Sequence, residues 1–277
     1  MNIEQLDRQY FYFDKPVPYE VNGGVVLIYP IELMDSELFL TSCDILVINK
    51  NSTPSVEIIQ MSYLEFLVKE VLKEEVNRAK LQVLLKYCLH LEKPRIVIDG
   101  NKYLIADDEA DVLINSRQFE DIRRIIMYQN VLHYDDSYVD SDLKKAMEET
   151  DALKHTGTEL PSVERKMAII TAHCGMPKSE QLKMTYRSHC LLFEEVSGEV
   201  EFSTARLMVF LANMFSDKKG KPQEIDHWIY RKKKGKFDGY VTELNQHTQK
   251  FGIDSNAIPT STSANQYDMM FHSLNKT

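Results

Sequence analysis

The sequence predicts an α+β fold: an N-terminal α+β lobe with a β-hairpin and a long amphipathic helix, followed by an all-α lobe. Three observations carry this. Between Met61 and His90, Leu64, Val68, Leu72, Val76, Ala79, Val83 and Tyr87 recur at steps of three or four, with Glu65, Lys69, Lys73 and Lys80 between them, which is the period of a helix with one apolar face. RIVIDGNKYLI places two β-branched or aromatic runs around Asp99, Gly100 and Asn101, residues that accept the positive φ of a hairpin turn. From Ser162 onward the apolar spacing is helical throughout.

The remaining elements follow in order. Phe11 to Phe13 and Val25 to Tyr29 are short apolar pieces bounded by Gly or Pro and read as strands. After the hairpin, Asn115 or Ser116 caps a helix whose face is Phe119, Ile122, Ile125 and Ile126. Residues 135–160 are polar, with a short helix from Asp142 to Leu153, and read as a linker region between the lobe of residues 1–134 and a helical lobe of residues 161–235. Ser162 caps a helix carrying Val163, Met167, Ile170 and Cys174, which Gly175 and Pro177 end. A short helix spans Ser179 to Lys183, Thr185 caps YRSHCLLFEEV, and a further helix presents Ala205, Met208, Val209, Ala212 and Phe215 on one face. EIDHWIY adds an apolar element with the only tryptophan, and residues 236–277 read as a weakly structured tail.

Composition narrows the function classes. A hydrophobic fraction of 43% and a charged fraction of 27% are those of an ordinary globular chain. With no run of about 20 apolar residues and no secretory signal pattern, a soluble protein of the cytosol is expected. Cys43, Cys88, Cys174 and Cys190 are widely spaced, so free thiols are expected. The net charge of −9 divides unevenly at Leu160: 29 acidic against 17 basic residues before it, a balance of −12, and +3 after it.

No local pattern carries chemistry. Gly23 and Gly24 precede a strand rather than a helix, which is a turn and not a phosphate cradle. GxSxG, HExxH and kinase-like strings are absent. His173-Cys174 and His189-Cys190 offer zinc-binding atoms, but adjacent helical residues diverge by about 100° and cannot both reach one ion. DDSYVDSD lacks the central glycine and closing glutamate of a calcium loop. No metal, cofactor, small-molecule substrate or enzymatic activity is expected. A helix-turn-helix regulator is the rival reading for Met167 to Phe193, with Tyr186, Arg187 and His189 facing DNA and RKKKGK touching phosphate; Leu191, Leu192, Phe193, Glu194 and Glu195 argue against it, so nucleic acid is not the expected partner.

Two stretches, INSRQFEDIRRIIMYQNVLHYDDSYVDSDLKKAMEETDALK and ERKMAIITAHCGMPKSEQLKMTYRSHCLLFEE, together resemble an uncharacterised family encoded in the structural module of long-tailed bacteriophages of Gram-positive hosts. The second is similar to the helical body of phage tail assembly chaperones. The resemblance runs from about Ile114 to Phe215 and carries no catalytic residues. It implies a host-cytoplasmic or virion-associated protein that binds the tape-measure protein, or another tail protein, during tail assembly. The added α+β lobe leaves open a structural tail, baseplate or head-to-tail role. The partner site is expected on the helical lobe, in an apolar groove lined by some of Tyr186, Leu192, Met208, Phe215 and Trp228, where flexible methionines and aromatic anchors can repack around a guest.

Overall fold

The computed structural model describes residues 2–52, 55–100, 102–136, 146, 147, 149, 150 and 161–214. Two units divide the chain. Met1–Ser141 and Gly157–Trp228 form the first; Asp142–Thr156 and Ile229–Thr277 form the second, whose described residues 146, 147, 149 and 150 are helical. The boundary read near residue 160 therefore does not separate two bodies: the α+β elements and the helices after Ser162 belong to one compact unit.

The fold is mixed α+β. Helix α1 (Ile3–Gln9), capped by Asn2, leads into a 3-10 turn at Phe11–Phe13. A strand is expected there, but only Phe11 is buried, Tyr12 and Phe13 are exposed, and Asp14 turns the chain at φ 52°. Strand β1 comes later, at Val17–Val21, and pairs antiparallel with β2 (Gly24–Ile28). Pro16 and Pro18 conceal β1 in the sequence; Pro18 is tolerated because β1 has only β2 as a neighbour among the described strands. Val17, Val21, Val26 and Ile28 face the core from this hairpin, while Val25 and Leu27 are exposed.

The long helix expected from Met61 to His90 is interrupted. After α2 (Ser36–Ser42) and α3 (Val56–Gln60), α4 (Tyr63–Phe66) runs into a π-turn at Leu67–Val71. Glu74, in extended conformation, then starts α5 (Glu75–Leu89) afresh. The break resets the helical phase. The core face of α5 is Leu81, Leu84, Leu85 and Cys88, whereas Val76 of the expected stripe is 65% exposed.

The predicted hairpin is present as β3 (Arg95–Asp99) and β4 (Lys102–Asp107), with Gly100 at φ 58°, and β5 (Val112–Asn115) completes a three-stranded antiparallel sheet in the order β3-β4-β5. Buried Asp107 ties its turn together by accepting N–H bonds from Lys93, Glu109 and Ala110. Burial alone would raise its carboxyl; those three donors and the Lys93 charge outweigh that and hold it below the ordinary value.

Helix α6 (Ser116–Asn130) organises the core. Asn115 closes a capping box with Gln118, and Phe119, Ile122, Ile125 and Ile126 are buried as the spacing predicts. Helices α7 (Val163–Cys174), α8 (Lys178–Gln181) and α9 (Tyr186–Met214) follow. Ser162 caps α7, and Gly175, at φ 69°, ends it. The apolar face expected on α7 is narrower than its spacing suggests: Ile170 is buried, but Val163 and Cys174 are exposed. The two helices expected between Thr185 and Phe215 are one, continuous through Gly198. The four cysteines are unpaired.

Side chains and backbone distant in sequence clamp these helices to the α+β part. Leu33 N–H donates to Met184 C=O at 2.8 Å and Tyr186 N–H to Ile31 C=O at 2.8 Å. Asp14 accepts from Thr185 Oγ1 at 2.6 Å and from Ser188 Oγ at 2.8 Å. Thr185 Oγ1 in turn accepts the Ser188 N–H, which caps α9. The element EIDHWIY and the tail lie outside the described residues.

Candidate protein-binding surface

Helix α9 has 29 residues and α7 has 12, or about 43 Å against about 18 Å of axis at 1.5 Å per residue. Helix α7 meets the first half of α9, where Lys166 Nζ stands over the Phe193 ring at 5.4 Å. On that half His189 and Val196 are buried, at 1% and 5% exposure. The same helical line continues at steps of three, four and seven through Val200, Leu207, Leu211 and Met214, with Phe210 beside it. There the cover ends: Leu207, Phe210 and Met214 are 57–62% exposed. Half-buried Phe202, Ala205 and Val209 lie on the opposite side of the helix.

This arrangement redistributes the residues expected to form a groove. Tyr186 is a joint residue: its N–H bonds Ile31, and burial, followed by its contacts with Cys190, pushes its hydroxyl up to about 12. Leu192 is half-buried, Met208 is 63% exposed, and Phe215 and Trp228 lie outside the described residues. Tyr186 and Met208 are separated by about 33 Å of helix, so these two do not share one groove. The stripe through Leu207, Leu211 and Met214 is legible as a seven-residue recurrence, but only if the segments before and after Gly198 are joined into one helix.

The groups that a DNA-reading helix would offer are engaged inside the protein. Arg187 donates to Tyr128 C=O at 2.6 Å and pairs with Asp7 at 3.1 Å, and His189 is buried. RKKKGK lies outside the described residues. Of the two His-Cys dipeptides, His173 and Cys174 are exposed on α7, and Cys190 is half-buried beside buried His189. Among the described residues, no group of three His, Cys, Asp or Glu stands close enough to hold a metal ion, and no helix is long and apolar enough to cross a membrane.

Comparison of the chain with protein-family models, with curated proteins and with solved structures returned no match.

His189 gives the α9 packing a pH dependence. Its Nε2 is buried with no hydrogen-bond partner among the described residues. Burial, followed by the charge of Lys166, holds its pKa below the ordinary 6.5. The folded state thus binds its proton later than the unfolded state does. The stability contribution is complete above about pH 6.5 and declines as the pH falls towards the depressed folded value. A His189→Leu variant, which removes both the orphan nitrogen and the titration, should lose less stability than the parent between pH 7 and pH 5. Thermal unfolding at the two pH values measures this; equal losses would show that His189 does not set the dependence.

Proposed function

We propose that the chain is a non-enzymatic assembly protein that takes an apolar helical segment of another protein onto the second half of α9. The observation that carries the reading is the α9 stripe, covered as far as Val196 and open from Val200 to Met214. The stripe is interrupted by Ser203 and Thr204 and is most open at Leu207, Phe210 and Met214; an exposed apolar cluster of this kind suits a helix that receives another. Met208 and Met214 add side chains that reshape around different guests.

The resemblance to phage tail assembly chaperones supplies the setting. The guest is then a helical segment of the tape-measure protein, held in the host cytoplasm while the tail tube assembles around it. That role needs no cofactor, small-molecule substrate or nucleic acid.

The test is binding of peptides from the tape-measure protein of the same genome. Leu207→Glu with Leu211→Glu should weaken capture at least about 100-fold, since each buried leucine contributes about 1.5–3 kcal/mol and a buried unpaired charge costs more. The thermal midpoint should hold, because both side chains are exposed in the free protein. Equal binding by parent and variant would move the site elsewhere; no binding by the parent would remove the tape-measure assignment.

A further inference from the structure

The three-stranded sheet has one closed edge and one open edge. At β5, Leu113 N–H donates to Asn22 C=O at 2.9 Å, joining that edge to the β1–β2 turn. The approach is close: a Cβ on Gly23, at φ 102°, would stand 2.5 Å from Asp111 O. At the other edge, β3 pairs with β4 alone among the described residues. Alternate N–H and C=O groups of β3 therefore point away from the sheet.

This edge is guarded only at its ends, by Lys93 and Pro94 before it and by the charges of Arg95 and Asp99. The strand Arg-Ile-Val-Ile-Asp contains no proline and no lysine, and Ile96 and Ile98 are 37% and 58% exposed. Both lie on the inner face of the sheet. Ile96 is opposite Ile105, which is opposite Ile114, and those two are fully buried. Ile96 and Ile98 thus extend the core face outward, where Ile96 is partly covered and Ile98 is open.

We propose that β3 pairs antiparallel with β3 of a second copy about a two-fold axis through Val97, making one six-stranded sheet across a homodimer. The strand's own charges select this partner and register. With Val97 opposite its symmetry mate, Arg95 stands opposite Asp99 of the second copy at both ends, and Ile96 stands opposite Ile98 on the inner face. A slip of one residue puts the isoleucines on the wrong face; a slip of two removes both Arg95–Asp99 pairs, and where it would set Lys93 opposite Asp99, Pro94 interrupts the ladder beside that pair. Among the described residues Arg95 is held by an exposed ion pair with Asp108, which costs little to exchange. Five residues of edge bury less than the roughly 1,200 Å² of a stable interface, so the dimer is weak.

Sedimentation velocity of the full chain over a concentration series tests this. The parent should pass from monomer to dimer. Arg95→Asp and Asp99→Arg, each of which turns two attractions into two repulsions, should each weaken association at least about tenfold. The double variant carrying both should recover association, since the pairs are re-formed with their signs exchanged. Ile98→Lys should abolish dimers without changing the thermal midpoint. A parent that stays monomeric to roughly 1 mM, a double variant no better than the single ones, or a dimer that survives Ile98→Lys would each overturn the proposal. The α9 double variant Leu207→Glu with Leu211→Glu should dimerise like the parent; if it alone abolishes dimers, the copies meet through α9 instead.

Discussion

Replacing Phe119 by Ala is expected to lower the free energy of unfolding by about 3–5 kcal/mol, the largest stability loss of any single change considered for this chain. Phe119 is 1% exposed and sits in the first turn of α6, the helix that packs against both sheets as well as α1 and α4. Two costs add: the ring loses its transfer out of water, and the space it leaves is walled by elements that pair with one another and cannot collapse inward. Since ordinary domains are stable by only about 5–15 kcal/mol, the variant should lose a large share of its margin. Urea unfolding should show a lower midpoint with an unchanged slope. A loss under about 1 kcal/mol would mean that α6 is not the centre of the core.

Replacing Asn130 by Ala is expected to cost about 2–4 kcal/mol, from an orphaned donor together with a small cavity. Asn130 is fully buried at the end of α6. Its Oδ1 accepts the Ile31 N–H at 2.7 Å, and its Nδ2 donates to Ile126 C=O at 2.9 Å. Ile31 C=O is the acceptor for Tyr186 N–H, so one amide side chain links α6 to the backbone that receives α9. The loss should therefore be uneven. Hydrogen exchange should speed up most at Ile31 and Tyr186; a uniform change across the chain would mean that Asn130 contributes packing alone.

Legibility followed the range of the interaction. The α6 face, a cap for it at Asn115 or Ser116, the β3–β4 turn around Gly100 and the α7 cap at Ser162 were all predicted from residues within a few positions of one another, because caps, turns and periodic burial are local physics. The interrupted helix from Met61 to His90 shows the limit. Its apolar spacing fits one helix, yet the core is reached by Leu81, Leu84, Leu85 and Cys88, a phase set by the π-turn at Leu67–Val71 and the fresh start of α5 after extended Glu74. Of the residues expected to line a groove, Met208 is exposed, whereas Tyr186 serves the joint with Ile31, a long-range contact that local spacing does not record.

By itself, then, the sequence determined the α+β class, the hairpin, the caps and the amphipathic faces of α6 and part of α7, since each is fixed by neighbours in the chain. Tertiary structure decided that the helices after Ser162 join the α+β part, through pairs such as Asp14 with Thr185 and Arg187 with Asp7, separated by 171 and 180 positions. It also decided which apolar residues stay uncovered. Leu207 and Ile98 have the same chemistry as buried Leu84 and Ile105; what separates them is that α7 stops short of the one and the sheet ends at the other. Burial depends on what arrives on the far side of a side chain, and nothing in a residue's own local spacing records that.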